Sequence, residues 1–374
     1  LSGIYLHIPF CKQACHYCNF HFTTSLHQKN ELVAALVMEI QMQKDFFPGE
    51  TINTIYFGGG TPSLLLIDDC RLLIDAIHQN FNVAFDAEIT LEANPDDIDA
   101  EKLSGWKQSG INRLSIGVQS FYEEELKWMN RAHTAEQAMA NLQLAMAAFA
   151  NITIDLIYGS ALLTDEMWEQ NVKTAIKYGI PHLSCYALTV EEKTPLHKLM
   201  RLNNTKPVDT DKQASQFLLL MQWLRGAGYE HYEVSNFAKP GFRSRHNSSY
   251  WKGDQYLGIG PSAHSFNGYT RQWNVANNQQ YISSIMNGIL PNESEVLTQA
   301  NQLNEYIMTS LRTKEGMDLQ AIEKKWGAEK LAVIKKQLRP YLQNGLTIQN
   351  GSLVQLTDVG FLKADGIASD LFFG

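Results

Sequence analysis

Six short apolar runs, at positions 3–8, 54–57, 88–91, 113–118, 153–157 and 182–188, recur along the first half of this chain at intervals of a few dozen residues. Between them the apolar residues change to helical spacing, as in Leu32, Val33, Leu36, Val37 and Ile40. Strands that alternate with helices must return to the same sheet edge through crossovers, and the outcome is a parallel α/β sheet. Six units in series predict a (β/α)6 barrel or most of one. In such a fold the loops leaving the C-terminal ends of the strands converge on one mouth, so functional residues are expected directly after strands.

The 374 residues, 44% of them hydrophobic, suffice for one large domain and a smaller one. We expect the barrel over 1–228, an extension of short strands and loops rich in Gly, Asn and aromatics over 229–294, and a C-terminal module over 295–374. In that module helices lead to a hairpin-like pair at 346–349 and 353–356 across Asn350-Gly351, a winged-helix-like arrangement. Its basic residues are interleaved with acidic ones, which favours a packing role over DNA reading. The net charge of −8 argues against broad adhesion to nucleic acid or anionic lipid. No apolar run reaches membrane-span length and residues 1–10 carry no leader pattern, so a cytoplasmic protein is expected; a transient contact with a membrane is compatible with this.

Of five cysteines, Cys70 shares an apolar helical series with Leu73, Ile74, Ile77 and Phe81, and Cys185 lies in a strand-like run; both read as buried small hydrophobes. The other three, Cys11, Cys15 and Cys18, fall within eight positions on a loop just after the first strand. Such crowding suits metal ligands better than a disulfide framework. Two chemistries fit: a zinc site completed by His7, His16 or His21, or an iron–sulfur cluster with one iron left open.

Further polar residues close later strands. Gly58-Gly59-Gly60-Thr61-Pro62 follows the second, and glycines there let the backbone approach a ligand. Glu92, Gln119 and Asp155 end the third, fourth and fifth, with side chains able to hydrogen-bond a ribose or an amino acid, and Arg131 offers a fork for a carboxylate.

Cys-x3-Cys-x2-Cys resembles the radical SAM signature. Its frame, Tyr5-Leu6-His7-Ile8-Pro9-Phe10 and Asn19-Phe20, resembles the branch that holds oxygen-independent coproporphyrinogen III dehydrogenase (HemN) and the haem chaperones (HemW). The resemblance implies a [4Fe–4S] cluster on Cys11, Cys15 and Cys18, with S-adenosylmethionine (SAM) chelating the open iron. It assigns Tyr5, Tyr17, Gly59, Gly60, Thr61, Glu92, Gln119, Arg131, Asp155 and Ala187 to the SAM pocket, the Gly59–Thr61 backbone receiving the methionine amino group. It also implies a low-potential electron donor such as flavodoxin or ferredoxin. Relatives continue after the fifth-strand Tyr-Gly with Leu-Pro-Gly-Gln-Thr, whereas this chain reads Ser160-Ala161-Leu162-Leu163-Thr164.

Two functions of different class share this machinery: oxidative decarboxylation of coproporphyrinogen III, and delivery of haem to acceptor proteins. The dehydrogenase signature extends to a fourth cysteine where this chain has Phe20, and the dehydrogenase carries a segment before its first strand that the four residues ahead of Tyr5 do not supply. Arg245-His246-Asn247-Ser248-Ser249-Tyr250-Trp251 resembles the His-Asn-x-x-Tyr-Trp element of the haem chaperones. That similarity makes His246 a candidate haem ligand, with a brace between loop and barrel as the alternative. Gly258–Ser265 reads as a turn shaping the cavity, with His264 a second candidate.

Overall fold

In the computed structural model, which describes residues 2–202 and 205–374, six strands lie side by side in chain order and all run parallel. They are β1 (Ser2–Ile8), β2 (Ile52–Gly59), β3 (Val83–Ala93), β4 (Arg113–Gln119), β5 (Ile152–Tyr158) and β6 (His182–Ala187). Right-handed crossovers between consecutive neighbours place the connecting helices on one face. These are α1 (Lys29–Met42), α2 (Ile67–Asn80), α3 (Ala100–Gln108), α4 (Glu123–Trp128), α5 (Ala135–Ala148) and α6 (Asp165–Lys177), followed by α7 (Pro195–Arg201) and α8 (Thr210–Gly226). Helix starts follow local chemistry: Asp99 accepts from Lys102 N at 2.7 Å, and Thr134 with Gln137 forms a capping box.

Side chains alternate across each strand. One set, including Ile4, Leu6, Ile55, Phe57, Leu91, Leu114, Ile116, Ile154, Leu156, Leu183 and Cys185, joins the helices in one large core with Cys70. The opposite set is polar and pairs between neighbouring strands. Tyr56 donates to Glu92, Arg113 donates to Thr153, and Thr153 bonds His182 Nδ1 at 3.0 Å. The inner face of the sheet is therefore polar.

Segment 229–294 completes both sheet edges. β7 (Glu230–Glu233) and β8 (Asn236–Ala238) add antiparallel beyond β6, while β9 (Gln255–Ile259) pairs parallel with β1. β10 (His264–Phe266), β11 (Thr270–Asn274) and β12 (Asn292–Val296) continue outward, giving twelve strands in one sheet. Two helices also lie here, α9 (Arg245–Lys252) and α10 (Asn278–Met286). The His-Asn-x-x-Tyr-Trp element thus stands on a helix, capped by Ser244 and ended by Gly253 at φ +69°, where a loop was expected. Eight residues are too few to display a helical period.

Beyond β12, α11 (Gln299–Leu311), α12 (Leu319–Trp326) and α13 (Ala328–Gln343) pack with a small antiparallel sheet. Its strands are β13 (Met317–Asp318), β14 (Thr347–Asn350) and β15 (Leu353–Leu356), in the order β13-β15-β14. Leu303, Ile307, Ile334, Leu338 and Val354 give this module its own core. Among the described residues no helix is long and apolar enough to cross a membrane.

Candidate cluster and cofactor site

Cys11, Cys15 and Cys18 occupy the loop that leaves β1, all half-buried and none in a disulfide. Neighbouring loops clamp this one from two sides. The Gln13 and Asn130 carboxamides bond at 2.7 Å, Asn130 Nδ2 reaches Ala14 O at 2.7 Å, and His16 N donates to Met129 O at 3.0 Å. Lys12 pairs with Asp96 at 2.8 Å and also with Asp97.

The histidines suggested for a zinc site each hold a hydrogen bond through a ring nitrogen. His7 Nε2 bonds His21 O at 2.9 Å, His16 Nδ1 bonds Trp128 O at 2.8 Å, and His21 Nε2 bonds Asn278 Oδ1 at 2.7 Å. Among the described residues no three His, Cys, Asp or Glu side chains gather closely enough to hold a single ion. A closed tetrahedral zinc site requires four donors on one point. An iron–sulfur cluster spreads its thiolates over separate irons, and three thiols on one short loop suit that group.

Arg131 fixes the local electrostatics. One terminal nitrogen lies 3.3 Å from Cys15 Sγ and 3.3 Å from Tyr17 OH; the other donates to Asn94 Oδ1 at 2.7 Å and Gly117 O at 2.8 Å. Burial alone would weaken this cation, but Tyr17 and Cys15 more than offset it. Its Nε is buried without a partner. Burial pushes the Cys11 thiol up to about 11 and raises Cys18 as well, so iron must displace the protons of these two thiols on binding.

The glycines after β2 are required by close approach. A Cβ on Gly60 would lie 2.7 Å from Phe10 O, and one on Gly59, whose φ is +107°, would lie 2.7 Å from the His7 ring. The N–H groups of Gly60 and Thr61 donate to Ile8 O and Phe10 O at 2.9 and 2.7 Å, locking this segment to the cysteine loop. Its carbonyls are the groups an ammonium would need. The Thr61 hydroxyl also approaches Cys11 Sγ at 3.6 Å.

Of the remaining candidates, Glu92, Gln119 and Ala187 stand at or next to strand ends, while Asp155 and Tyr5 stand at the middle of β5 and β1. Glu92 accepts from Tyr56 OH at 2.8 Å, and burial raises its carboxyl to about 7. Asp155 is raised by burial to about 6 while Ser184 and Ser115 hydrogen-bond it. Gln119 adopts φ +66°, a conformation that side chains other than Gly rarely take, next to a break in the β4–β5 register. A Cβ on Gly117 would touch Gln119, Arg131 and Asn94 within 3.4 Å, so these three side chains converge on one point. Tyr5 lies deeper, within 3.3 Å of His7 Nδ1 and stacked toward Tyr56, and Ala187 stands exposed at the end of β6.

His246 departs from this grouping. Its Nδ1 bonds Thr54 Oγ1 at 2.8 Å, its Nε2 bonds Tyr250 OH at 2.9 Å, and its ring stacks on Tyr56 at 4.9 Å. Burial lowers its pKa to about 3. Both ring nitrogens are thus engaged, and these contacts tie α9 to the inner face of β2. His264 is exposed beside Trp273.

Two working residues escaped the sequence reading. Asn94 joins Arg131 to Thr61 Oγ1 at 3.2 Å, although before Pro95 it looks like an ordinary turn residue. Glu39 is buried on α1 and accepts from Gly260 N at 2.8 Å, Asn274 Nδ2 at 2.7 Å and Tyr281 OH at 2.5 Å, which anchors the Gly258–Ser265 turn. A glutamate three residues after Leu36, on the inward face of a helix, was the available signal.

This geometry is that of a radical SAM protein: a parallel sheet whose first loop presents three thiols and whose next strand ends form a polar pocket. The Radical SAM superfamily model matches residues 5–175 and the HemN C-terminal domain model matches 297–362. Heme chaperone HemW of Bacillus subtilis is 33% identical, with 98% of each chain covered, and its Escherichia coli namesake is 37% identical over 70% of this chain and 69% of its own. The solved structure of Escherichia coli coproporphyrinogen III oxidase (HemN), described as a radical SAM enzyme, superposes with a TM-score of 0.85 at 26% identity, over 99% of this chain and 90% of that one. The chain belongs to the radical SAM superfamily, in the branch that holds HemN and HemW.

Proposed function

We propose that this chain is a haem chaperone of the HemW type, delivering haem to acceptor proteins. The observation that carries the reading is the near-full-length similarity to proteins named heme chaperone HemW. Phe20 supports it: where the dehydrogenase signature has a fourth cysteine, this chain has an aromatic residue that is 68% exposed. Cys11, Cys15 and Cys18 would hold the [4Fe–4S] cluster. Arg131 and Gln119 would orient the SAM carboxylate, Gly59, Gly60 and Thr61 its amino group, and Glu92, Asp155, Tyr5, Tyr17 and Ala187 the rest of the molecule. The bound pair supplies reductive cleavage of a carbon–sulfur bond. The protein's part is orientation, a neutralising cation beside the sulfurs, and a polar inner face. A low-potential donor such as flavodoxin or ferredoxin and a reducing, cytoplasmic setting suit five unpaired cysteines. We divide the chain at 228 and 294 into sheet core, edge-completing extension and C-terminal module.

The second reading, coproporphyrinogen III dehydrogenase, is favoured by the likeness to HemN. Anaerobic protein with a reconstituted cluster separates the two. A Soret shift on adding haem, with no protoporphyrinogen formed from coproporphyrinogen III, SAM and reductant, is expected. Turnover of coproporphyrinogen would establish the dehydrogenase instead.

A further inference from the structure

The chain finishes the two edges of its large sheet in different ways. At one end β7 is covered, because Val234 N donates to Arg312 O and Lys314 N to Tyr232 O, each at 3.0 Å. At the other end β12 pairs with β11 alone. Asn292 is half-buried and the rest of β12 is exposed, so this strand adds almost nothing to the core. Among the described residues its outer row of backbone groups has no partner. An open strand edge of this kind is a template for another strand.

Register fixes which groups that row contains. Leu297 N donates to Tyr269 O at 2.9 Å and Val275 N donates to Pro291 O at 2.8 Å, on either side of the paired stretch. Antiparallel bonding alternates along a strand. Glu293 and Glu295, opposite Trp273 and Arg271, therefore turn their N–H and C=O groups toward β11, and Asn292, Ser294 and Val296 turn theirs outward.

Side chains around the edge decide what can add to it. Val296 and Tyr269 at one end of β12, and Ile289 before the other, are 78%, 70% and 60% exposed, which leaves apolar surface at both ends. Between them stand Glu293 and Glu295, neither paired with a cation among the described residues; Arg271, beside Glu295 in the ladder, pairs with Glu305 at 2.9 Å. A second copy pairing antiparallel about Ser294 would set glutamate against glutamate, which like-charge repulsion opposes. A strand bearing lysine or arginine is the complementary match.

We propose that β12 takes up an extended segment of a partner protein by β-strand addition, the segment alternating basic residues with apolar ones. Its basic side chains lie beside Glu293 and Glu295, its apolar ones beside Val296, and its main chain bonds to the outward groups of Asn292, Ser294 and Val296. The edge is independent of the haem-carrier reading, which haem titration of the same preparation tests by itself.

A short fluorescein-labelled peptide of alternating lysine and valine, and its glutamate–valine counterpart, are titrated into the cluster-reconstituted protein and followed by anisotropy. The lysine peptide should bind roughly tenfold more tightly than the glutamate one and weaken as salt rises. Ser294→Pro removes an outward N–H without touching a bond to β11 and should weaken the lysine peptide about tenfold, while Ser294→Ala leaves it unchanged. Glu293→Lys combined with Glu295→Lys should reverse the preference between the two peptides. Amide hydrogen exchange on the wild type needs no substitution: saturating lysine peptide should slow the amides of Asn292, Ser294 and Val296 by roughly tenfold or more, whereas those of Glu293 and Glu295, already bonded to β11, should not change. Melting temperature and iron content report whether each variant is folded. Equal affinity for the two peptides, unchanged exchange at the outward amides, or full affinity in a folded Ser294→Pro protein would overturn the proposal. So would a concentration-dependent dimer of the wild type in ultracentrifugation that Ser294→Pro abolishes, because the occupant would then be a second copy.

Discussion

The inner face of the sheet has two ends of opposite character. At the base, where the strands begin, Glu88 accepts from the backbone N–H groups of Arg245 and His246 at 3.1 Å, Arg113 bonds Thr153, and His182 reaches Tyr232 OH at 2.7 Å. At the mouth, thiols lie half-exposed and Gln119 holds a left-handed backbone. Both ends contain residues that can bind metals or move protons. The difference is that the base satisfies most of its groups internally, whereas the mouth leaves its groups waiting for a visitor.

The largest effect expected from this contrast is at the cysteines. Cys11→Ala, Cys15→Ala or Cys18→Ala should remove essentially all [4Fe–4S] absorbance and bound iron while far-UV circular dichroism stays as in the wild type. Cys70→Ala should do the reverse, keeping the cluster and lowering stability by ~1–2 kcal/mol through the cavity it leaves in the core. A cluster that survives loss of Cys15 would break the comparison at its strongest point.

Next in size is the base. Arg113→Leu leaves Glu88 buried without its nearest cation, 3.9 Å away, and should cost about 3–5 kcal/mol in urea unfolding. His246→Ala orphans Thr54 Oγ1 and the Tyr250 hydroxyl and should cost roughly 1–3 kcal/mol, with cluster content and the haem Soret shift retained. Loss of that shift would return His246 to the list of iron ligands.

Glu39 yields a pH test. Its folded carboxyl is raised by burial from 4.5 to about 7, so the stability linked to its proton is complete below about pH 4.5 and is lost as pH rises through 7. Glu39→Gln cannot titrate. The difference in urea stability between the two proteins should therefore move in favour of the variant by on the order of 2–3 kcal/mol from pH 5 to pH 8. A constant difference would show that the carboxyl is already ionised when buried. The smallest effect is at Asn94→Ala, which frees one arm of Arg131 and should weaken SAM binding about fivefold in equilibrium dialysis, a typical single hydrogen bond.

The strands were legible because parallel strands buried under helices read as apolar runs bounded by turns; Glu92, Gln119 and Ala187 lie at or next to strand ends, whereas Asp155, expected to close the fifth strand, stands at the middle of β5. The polar inner face was equally present in the letters, as Glu88, Thr90 and Glu92 alternate with Ile89 and Leu91. It is overlooked when a strand is recognised by its apolar half alone. The roles of Asn94 and Glu39 were out of reach for another reason. Their partners lie from 33 to 242 positions away, and no local pattern encodes a contact of that span.

That span matters at the ribosome. The three donors to Glu39 come from residues 260, 274 and 281, so a nascent chain carries an unsatisfied acid on α1 until three-quarters of its length has been made. The last of the parallel strands, β9, arrives in the same stretch and docks on the first. Synthesis thus brings the beginning of the sheet under control late, and a chain cut short of Tyr281 would keep its first strand and helix exposed to proteases and chaperones.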